Sequence, residues 1–211
     1  MKESTSKEKI LKIIRSAYQD SATTPYPDSV SQQLCFKKNE ELLDVLFARN
    51  FSENGGQFVY CEDEEDFISQ LREFVDKEGW ESIFCIDPNF QTVLMDCDIP
   101  FSTDLSDENV STGITGCELL IASTGSVLVS SNHLSGRKLN IFPEKHVVFA
   151  FADQLVSDIS DAIDSMNEKY KTDGLPSSIS MISGVSTTSD IENIFVTGAH
   201  GPKEIVLFYI E

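Results

Sequence analysis

The sequence of 211 residues predicts an α/β fold in which helices flank a sheet, and two observations lead to it. Segments with strand-like and helix-like patterns alternate from Gln57 onwards with short connections, and this order is typical of βαβ units. The segment 205–210 is an almost continuous apolar run, which is typical of a strand whose two faces are both covered. With 40% hydrophobic residues, the chain can bury a substantial core.

Two amphipathic helices are predicted at the start of the chain. Apolar residues recur at helical spacing in two places: Ile10, Ile13, Ile14, Ala17 and Tyr18, and then Leu42, Leu43, Leu46 and Phe47. Pro25 and Pro27 lie between them, and prolines this close together interrupt helix and sheet alike. The sequence therefore predicts an N-terminal helical arm over residues 1–50 and one α/β domain over residues 51–211.

The first βαβ unit of the domain begins near Gln57. Residues 58–61 have the pattern of a strand, Asp63 can cap a helix, Gly79 can end it, and residues 82–86 form the next strand-like run. The apolar face of this helix consists of Phe67, Leu71, Phe74 and Val75. A strand, a helix and a strand with short connections predict two parallel strands that pair through a right-handed crossover.

Further strands are predicted in the second half of the chain. The segment 113–131 is rich in Thr, Val, Ile and Gly, and it predicts strands joined by a tight turn at residues 123–126. Residues 146–151 and 179–182 predict two more strands. The helix between them closes near Gly174, and its apolar face consists of Val156, Ile159, Ile163, Met166 and Tyr170.

The net charge of −19 makes nucleic acids and membrane surfaces poor partners, because both are anionic. No stretch approaches the roughly 18 consecutive apolar residues of a membrane helix. The first residues of the chain also lack the apolar core of a secretion signal. The sequence therefore predicts a cytoplasmic protein with neither a nucleic-acid nor a membrane partner.

The five cysteines are widely spaced and never form a Cys-x-x-Cys pair. This spacing predicts neither a disulfide framework nor a zinc or iron–sulfur site, and the three histidines lack paired spacing as well. Cys61 and Cys85 lie in apolar strand-like runs, where a free cysteine packs as a small core residue. We therefore expect no bound metal, and the sequence identifies no cofactor.

A hydroxyl-rich loop over residues 183–192 is the strongest candidate for a binding site. It begins with Ser183 and Gly184, carries Ser186 and Thr188, and ends in an Asp-Ile-Glu sequence. A glycine turn that leads into a helix start presents backbone N–H groups and hydroxyls to one point, as anion sites do. The loop therefore predicts a pocket for a small anion or a phosphate. The same residue types also make an ordinary helix N-cap without a ligand.

Three motifs occur in order along the chain: residues 121–126 (I-A-S-T-G-S), residues 183–192, and His200-Gly201-Pro202. With them, the chain resembles the LUD-domain family, in the lactate-utilisation protein C (LutC-like) group, whose members carry A-E-T-G-T, G-P-S-R-T-A-D-I-E and G-V-H-G-P. The resemblance spans roughly Gln57 to Glu211. It implies a fold like that of the ribose-phosphate isomerase and CoA-transferase group (NagB/RpiA/CoA transferase-like). It also implies a role in oxidising L-lactate to pyruvate together with iron–sulfur partner subunits.

The chain departs from the family pattern at four positions. Ser123 stands where the family has Glu, Val185 and Thr187 stand where it has Pro and Arg, and Ser189 replaces Ala. The loss of a guanidinium removes a two-pronged anion donor that hydroxyls do not match in charge. Arg137 could supply the lost positive charge. The ligand can therefore differ from that of a typical member.

Two further segments join the candidate site. Thr124, Gly125 and Ser126 would form a second donor loop, and the alternative is a plain hairpin turn with a surface arginine at 137. His200 follows a glycine-containing turn, and it either serves the site or caps the turn through its ring. Asp190 could orient His200 or cap a helix start, and both roles need the same carboxylate position.

We expect these loops to converge on one cleft at the carboxyl ends of the parallel strands, where open α/β sheets bind ligands. The first hypothesis is a subunit without its own redox centre that binds a small anionic metabolite or a cofactor phosphate. The second is a stand-alone isomerase or acyl/CoA-transferase-type enzyme with His200 or Asp190 as the base. The third is an interaction module whose pocket has lost its ligand.

The purified chain is expected to show no visible absorbance from an iron–sulfur cluster or haem, because its cysteines lack the spacing that such groups need. Absorption spectroscopy together with an iron assay checks this. A brown preparation with stoichiometric iron would contradict it.

Overall fold

The computed structural model describes residues 6–19, 41–80, 82–104, 111–134, 138–189, 195–198 and 200–211. The chain divides into two compact units, residues 1–40 and residues 41–211. In the first unit the structure describes helix α1, Ser6–Gln19, on which Ile10, Leu11 and Ile13 are exposed. The predicted connector with Pro25 and Pro27 lies outside the described residues.

The second unit contains four α-helices among its described residues: α2 (Leu43–Glu53), α3 (Glu64–Glu78), α4 (Pro88–Asp96) and α5 (Ile159–Lys169). Its strands are β1 (Gln57–Cys61), β2 (Ile83–Cys85), β3 (Thr112–Thr115), β4 (Leu119–Ile121), β5 (Ser126–Ser130), β6 (Lys145–Phe151), β7 (Leu155–Val156), β8 (Ile179–Ile182), β9 (Thr187–Ser189), β10 (Phe195–Thr197) and β11 (Glu204–Ile210). The predicted α/β fold, with helices that flank a sheet, is confirmed.

Five parallel strands form the central sheet, in the order β1-β11-β6-β3-β2. Strand β11 lies inside this sheet and is buried from Ile205 to Ile210, which confirms the prediction of a strand covered on both faces. The predicted pairing of β1 with β2 is wrong, because they lie at opposite edges. The long apolar strands β6 and β11 need the central positions, where both of their faces are buried.

A second sheet of four strands, in the order β7-β4-β5-β8, packs against one face of the parallel sheet. Helix α2 lies on the same face, and its side chains Leu46, Phe47 and Phe51 enter that core. Helices α3 and α4 cover the opposite face. Helix α5 packs on the far side of the second sheet. The predicted arm boundary at residue 50 therefore falls inside α2, which belongs to the unit of residues 41–211.

Local signals placed α3 correctly, whereas α4 has no counterpart in the sequence analysis. The Asp63 carboxylate accepts a hydrogen bond from the Asp66 N–H at 2.8 Å, and Gly79 ends the helix in the left-handed conformation. Helix α4 has nine residues and buries only Leu94 completely, so it shows little apolar periodicity. The predicted core positions of Cys61 and Cys85 are confirmed, since neither side chain is exposed.

His146 is a polar residue in the centre of the core. It lies on β6 with no exposed surface, and its Nε2 atom is 2.8 Å from the Thr115 hydroxyl of β3. Burial lowers the pKa of its imidazole to about 4. The ring is therefore neutral in the folded protein at neutral pH.

The His146→Gln variant is expected to lose part of the acid sensitivity of the wild-type fold. In the unfolded chain the histidine binds a proton below pH of about 6.5, whereas the buried ring does so only near pH 4, so stability falls as the pH drops between these values. Between pH of about 7 and about 5 this loss is roughly 2 kcal/mol. Urea unfolding at both pH values measures it, and equal losses in both proteins would contradict the assignment.

Candidate functional site

The first candidate loop is the turn over residues 122–125, which connects β4 to β5 as predicted and packs on the end of α2. The Asn50 side-chain amide donates to the carbonyl oxygens of Ala122 and Ser123, at 2.8 and 3.1 Å. The Asn54 amide donates to the Thr124 carbonyl at 2.9 Å. These bonds satisfy three carbonyl groups that a turn leaves without strand partners. The turn is therefore fixed to the helix.

Two glycines make this contact possible. Gly125 has φ of 58°, and a Cβ atom there would lie 2.3 Å from the Phe51 backbone nitrogen. Gly184 has φ of 102°, and a Cβ atom there would lie 2.1 Å from the Asn54 carbonyl oxygen. Both glycines therefore allow close packing of α2, a role that the sequence analysis did not assign to them.

Hydroxyl groups join the first loop to the second. The Oγ atoms of Ser126 and Ser183 are 2.7 Å apart and form a hydrogen bond. The hydroxyls of Ser123 and Thr124 are buried and make no hydrogen bond within the described part of the chain. The hydroxyls of Ser126 and Ser183 are therefore bonded to each other. Those of Ser123 and Thr124 have no hydrogen-bond partner in the described part of the chain.

The second loop is fixed to the His200-Gly201-Pro202 segment. The Ser186 N–H donates to the Pro202 carbonyl at 3.1 Å, and the Gly198 N–H donates to the Ser186 carbonyl at 2.8 Å. A Cβ atom on Gly201 would lie 3.1 Å from the Ser186 Cβ atom. The three motifs, which are far apart in sequence, are therefore brought together.

The second loop contains a strand that the sequence did not predict, and the predicted helix start at residues 190–192 lies outside the described residues. Gly184 is at the tight point after β8, as predicted, but Thr187–Ser189 form strand β9, which pairs antiparallel with β10. Consecutive β-branched threonines favour a strand. Asp190 and Arg137 lie outside the described residues, and so does the side chain of Thr188.

His200 lines a cleft of about 520 Å³. The other lining residues are Ile141, Phe142, Pro143, Glu144, Gly198, Gly201 and Lys203. Pro143 and Glu144 immediately precede β6, and Lys203 immediately precedes β11, so the cleft lies at the amino ends of the parallel strands. The expected position at the carboxyl ends is wrong, because the hydroxyl-rich loop leaves β8, which belongs to the second sheet.

The cleft combines charged and apolar groups. The Lys203 Nζ atom is 2.7 Å from the Glu144 Oε1 atom, and the lysine lowers the pKa of that carboxyl group through this hydrogen bond. Phe142 is 76% exposed and Ile141 is 54% exposed. His200 is exposed as well. The cleft therefore offers a cation, a carboxylate, an imidazole and an open aromatic ring.

Glu118 lies at the centre of a second polar cluster, which no sequence motif predicted. Its buried carboxylate accepts hydrogen bonds from Ser130 Oγ at 2.5 Å, Lys169 Nζ at 2.6 Å and Tyr170 Oη at 2.8 Å. Burial alone would raise its pKa, but these donors outweigh the burial and lower it. Both oxygens are engaged, so the cluster joins the end of α5 to β4 and β5 and presents no free nucleophile.

Among the described residues, no group of three or more His, Cys, Asp or Glu side chains could hold a metal ion. None of the helices described is long and apolar enough to cross a membrane.

Sequence comparisons identify related proteins. The profile of the LUD domain family matches residues 45–210. A lactate utilization protein C of Deinococcus radiodurans is 30% identical over 98 residues, which cover 46% of this chain and 45% of that protein. A lactate utilization protein C of Anoxybacillus flavithermus is 27% identical over 173 residues, which cover 81% of this chain and 70% of that protein. The chain thus spans about half the length of the first of these relatives.

Comparison with solved structures supports the same fold. A DUF162 family protein from Deinococcus radiodurans has a TM-score of 0.56 at 14% sequence identity, over 80% of this chain and 96% of that one. Ribose 5-phosphate isomerase from Plasmodium falciparum has a TM-score of 0.34 at 6% identity, over 74% of this chain and 98% of that one. The first of these similarities shows a shared fold.

Replacing Gly125 by alanine is expected to destabilise the fold more than replacing Gly79. The two glycines have nearly equal φ, 58° and 57°, but a Cβ atom at Gly79 meets nothing within 4 Å. Gly79→Ala is therefore expected to cost about 1 kcal/mol for the backbone conformation alone. Gly125→Ala adds the collision with α2, and we expect about 2 kcal/mol more. Urea unfolding measures both, and equal losses would contradict the packing role of Gly125.

Proposed function

Because this chain belongs to the LUD domain family, we propose that it is a LutC-like subunit that supports the oxidation of L-lactate to pyruvate in the cytoplasm. In this role it binds a small anionic metabolite or a cofactor phosphate, and separate iron–sulfur proteins carry the electrons. The observation that carries the proposal is the series of contacts that joins the three family motifs, of which the third, with His200, lines a cleft together with Lys203.

The state of the thiols supports electron transfer through partner proteins. Oxidation of lactate to pyruvate removes two electrons, which need an acceptor. Burial raises the pKa of the Cys61 and Cys85 thiols to about 12, and it raises the pKa of Cys97 and Cys117 as well. A buried protonated thiol is a poor metal ligand and a poor nucleophile. From these four described cysteines, we propose that the iron–sulfur centres belong to other subunits.

Anion binding in the cleft depends on local hydrogen-bond donors. A chain with a net charge of −19 repels anions at long range, so an anion needs local donors. Lys203 and His200 supply such donors in the cleft, and Ser186 contacts Gly201, which lines it too. From the sequence we also propose Thr124, Gly125, Ser126, Arg137, Ser183, Gly184 and Thr188 as ligand-binding residues, with His200 and Asp190 as candidates for a catalytic base.

Deleting the gene for this chain from its host is expected to abolish growth on L-lactate as the carbon source while growth on pyruvate continues. The wild-type gene should restore growth, and the Lys203→Met gene should restore it poorly because the cleft loses its cation. Lys171→Met is the matched control, since Lys171 is also exposed and pairs with a carboxylate, Glu168, at 3.1 Å. Unimpaired growth of the deletion strain on L-lactate would contradict the proposed function.

A further inference from the structure

We propose that the cleft binds a ligand of the nucleotide class. The aromatic base would stack on Phe142, the sugar hydroxyls would donate to Glu144, and the phosphate would bind Lys203 and His200. This inference rests on the proposed function, and it selects a cofactor phosphate over a small metabolite as the anion.

The size of the cleft is the first argument. With about 30 Å³ for each non-hydrogen atom, the space a water molecule takes in the liquid, a three-carbon acid such as lactate or pyruvate fills roughly 180 Å³. The cleft holds about 520 Å³. Sites of 300 to 1,000 Å³ are typical for organic ligands of drug size. By the same measure of 30 Å³ per atom, the cleft holds roughly 17 non-hydrogen atoms, about as many as a nucleoside has, so the phosphate of a nucleotide would lie partly in solvent. A lactate or pyruvate molecule would therefore leave most of the cleft filled with water.

The position of Phe142 is the second argument. Its ring is 76% exposed, although the turn that carries it is fixed on both sides. The N–H groups of Ile141 and Phe142 donate to the Lys138 carbonyl at 3.1 and 3.0 Å, and Leu139 is buried before them. Pro143 is buried after them, where the absent side chain of Gly113 leaves room for its ring. An anchored turn thus holds a large aromatic ring in solvent at the cleft, which suits stacking with a planar base.

The Glu144–Lys203 pair is the third argument. The hydrogen bond from Lys203 lowers the pKa of Glu144, and an ionised carboxylate accepts hydrogen bonds from sugar hydroxyls. Both side chains are about half exposed or more, and a pair this exposed contributes little to the stability of a fold. A ligand can therefore separate the two side chains with little loss of stability. One part of the ligand can then bind Glu144 and another part can bind Lys203. This requirement fits a molecule with hydroxyls and a phosphate.

Calorimetric titration of the full chain with AMP, FMN, NAD⁺, inorganic phosphate, lactate and pyruvate tests the proposal. At least one nucleotide should bind about tenfold or more tightly than inorganic phosphate, because stacking adds to the phosphate contacts. Phe142→Ala should weaken the binding of that nucleotide about tenfold and leave the binding of phosphate unchanged. Lys203→Met should weaken the binding of both the nucleotide and inorganic phosphate. Phe151→Ala is the matched control, because Phe151 is an exposed phenylalanine at the other end of β6.

The outcomes separate this inference from the proposed function. A nucleotide that depends on Phe142 and Lys203 supports the inference. Lactate or pyruvate bound as tightly as any nucleotide, with no effect of Phe142→Ala, would overturn it and leave the proposed function standing. If none of the six compounds binds, both the inference and the proposed anion site fail.

Discussion

The close approach of helix α2 to two left-handed glycines holds the loop region of this protein together. A side chain at Gly125 or Gly184 would occupy the space of the helix backbone at Phe51 or Asn54. Once the helix is seated, Asn50 and Asn54 donate hydrogen bonds to three carbonyl groups of the turn, and one such bond contributes about 0.5 to 1.5 kcal/mol. The steric fit and the hydrogen bonds therefore depend on each other.

A short series of hydrogen bonds connects this contact with the segment that lines the cleft. Ser126 binds Ser183, the loop turns at Gly184, and Ser186 binds the carbonyl of Pro202, two residues beyond His200. Each step is a fixed contact between segments that are distant in sequence. A continuous series of contacts therefore links α2 to the segment that carries His200, although α2 does not line the cleft.

The sequence predicted those features that depend on local signals. Asp63 and Gly79 bound α3 as expected, and the continuous apolar run of β11 marked a strand covered on both faces. The position of β2 at the far edge could not be predicted, because it depends on β3, β6 and β11, which follow later in the chain. Residues 187–189 fit a helix cap and a hairpin equally well, and only the pairing with β10 decides between them. The motifs predicted that the loops meet, but the edge of the sheet where they meet depends on the second sheet.

Net charge alone decides little about what the cleft binds. At physiological ionic strength, charges more than about 8 Å apart are largely screened, so most of the charge of −19 has little effect on a ligand inside the cleft. Inside the cleft, Glu144 offsets Lys203, and the local charge is close to zero. A simple anion therefore gains little there from electrostatic attraction. A ligand gains more if it gives Glu144 hydroxyl donors and Lys203 a phosphate, because each charge then keeps a partner after the pair has separated.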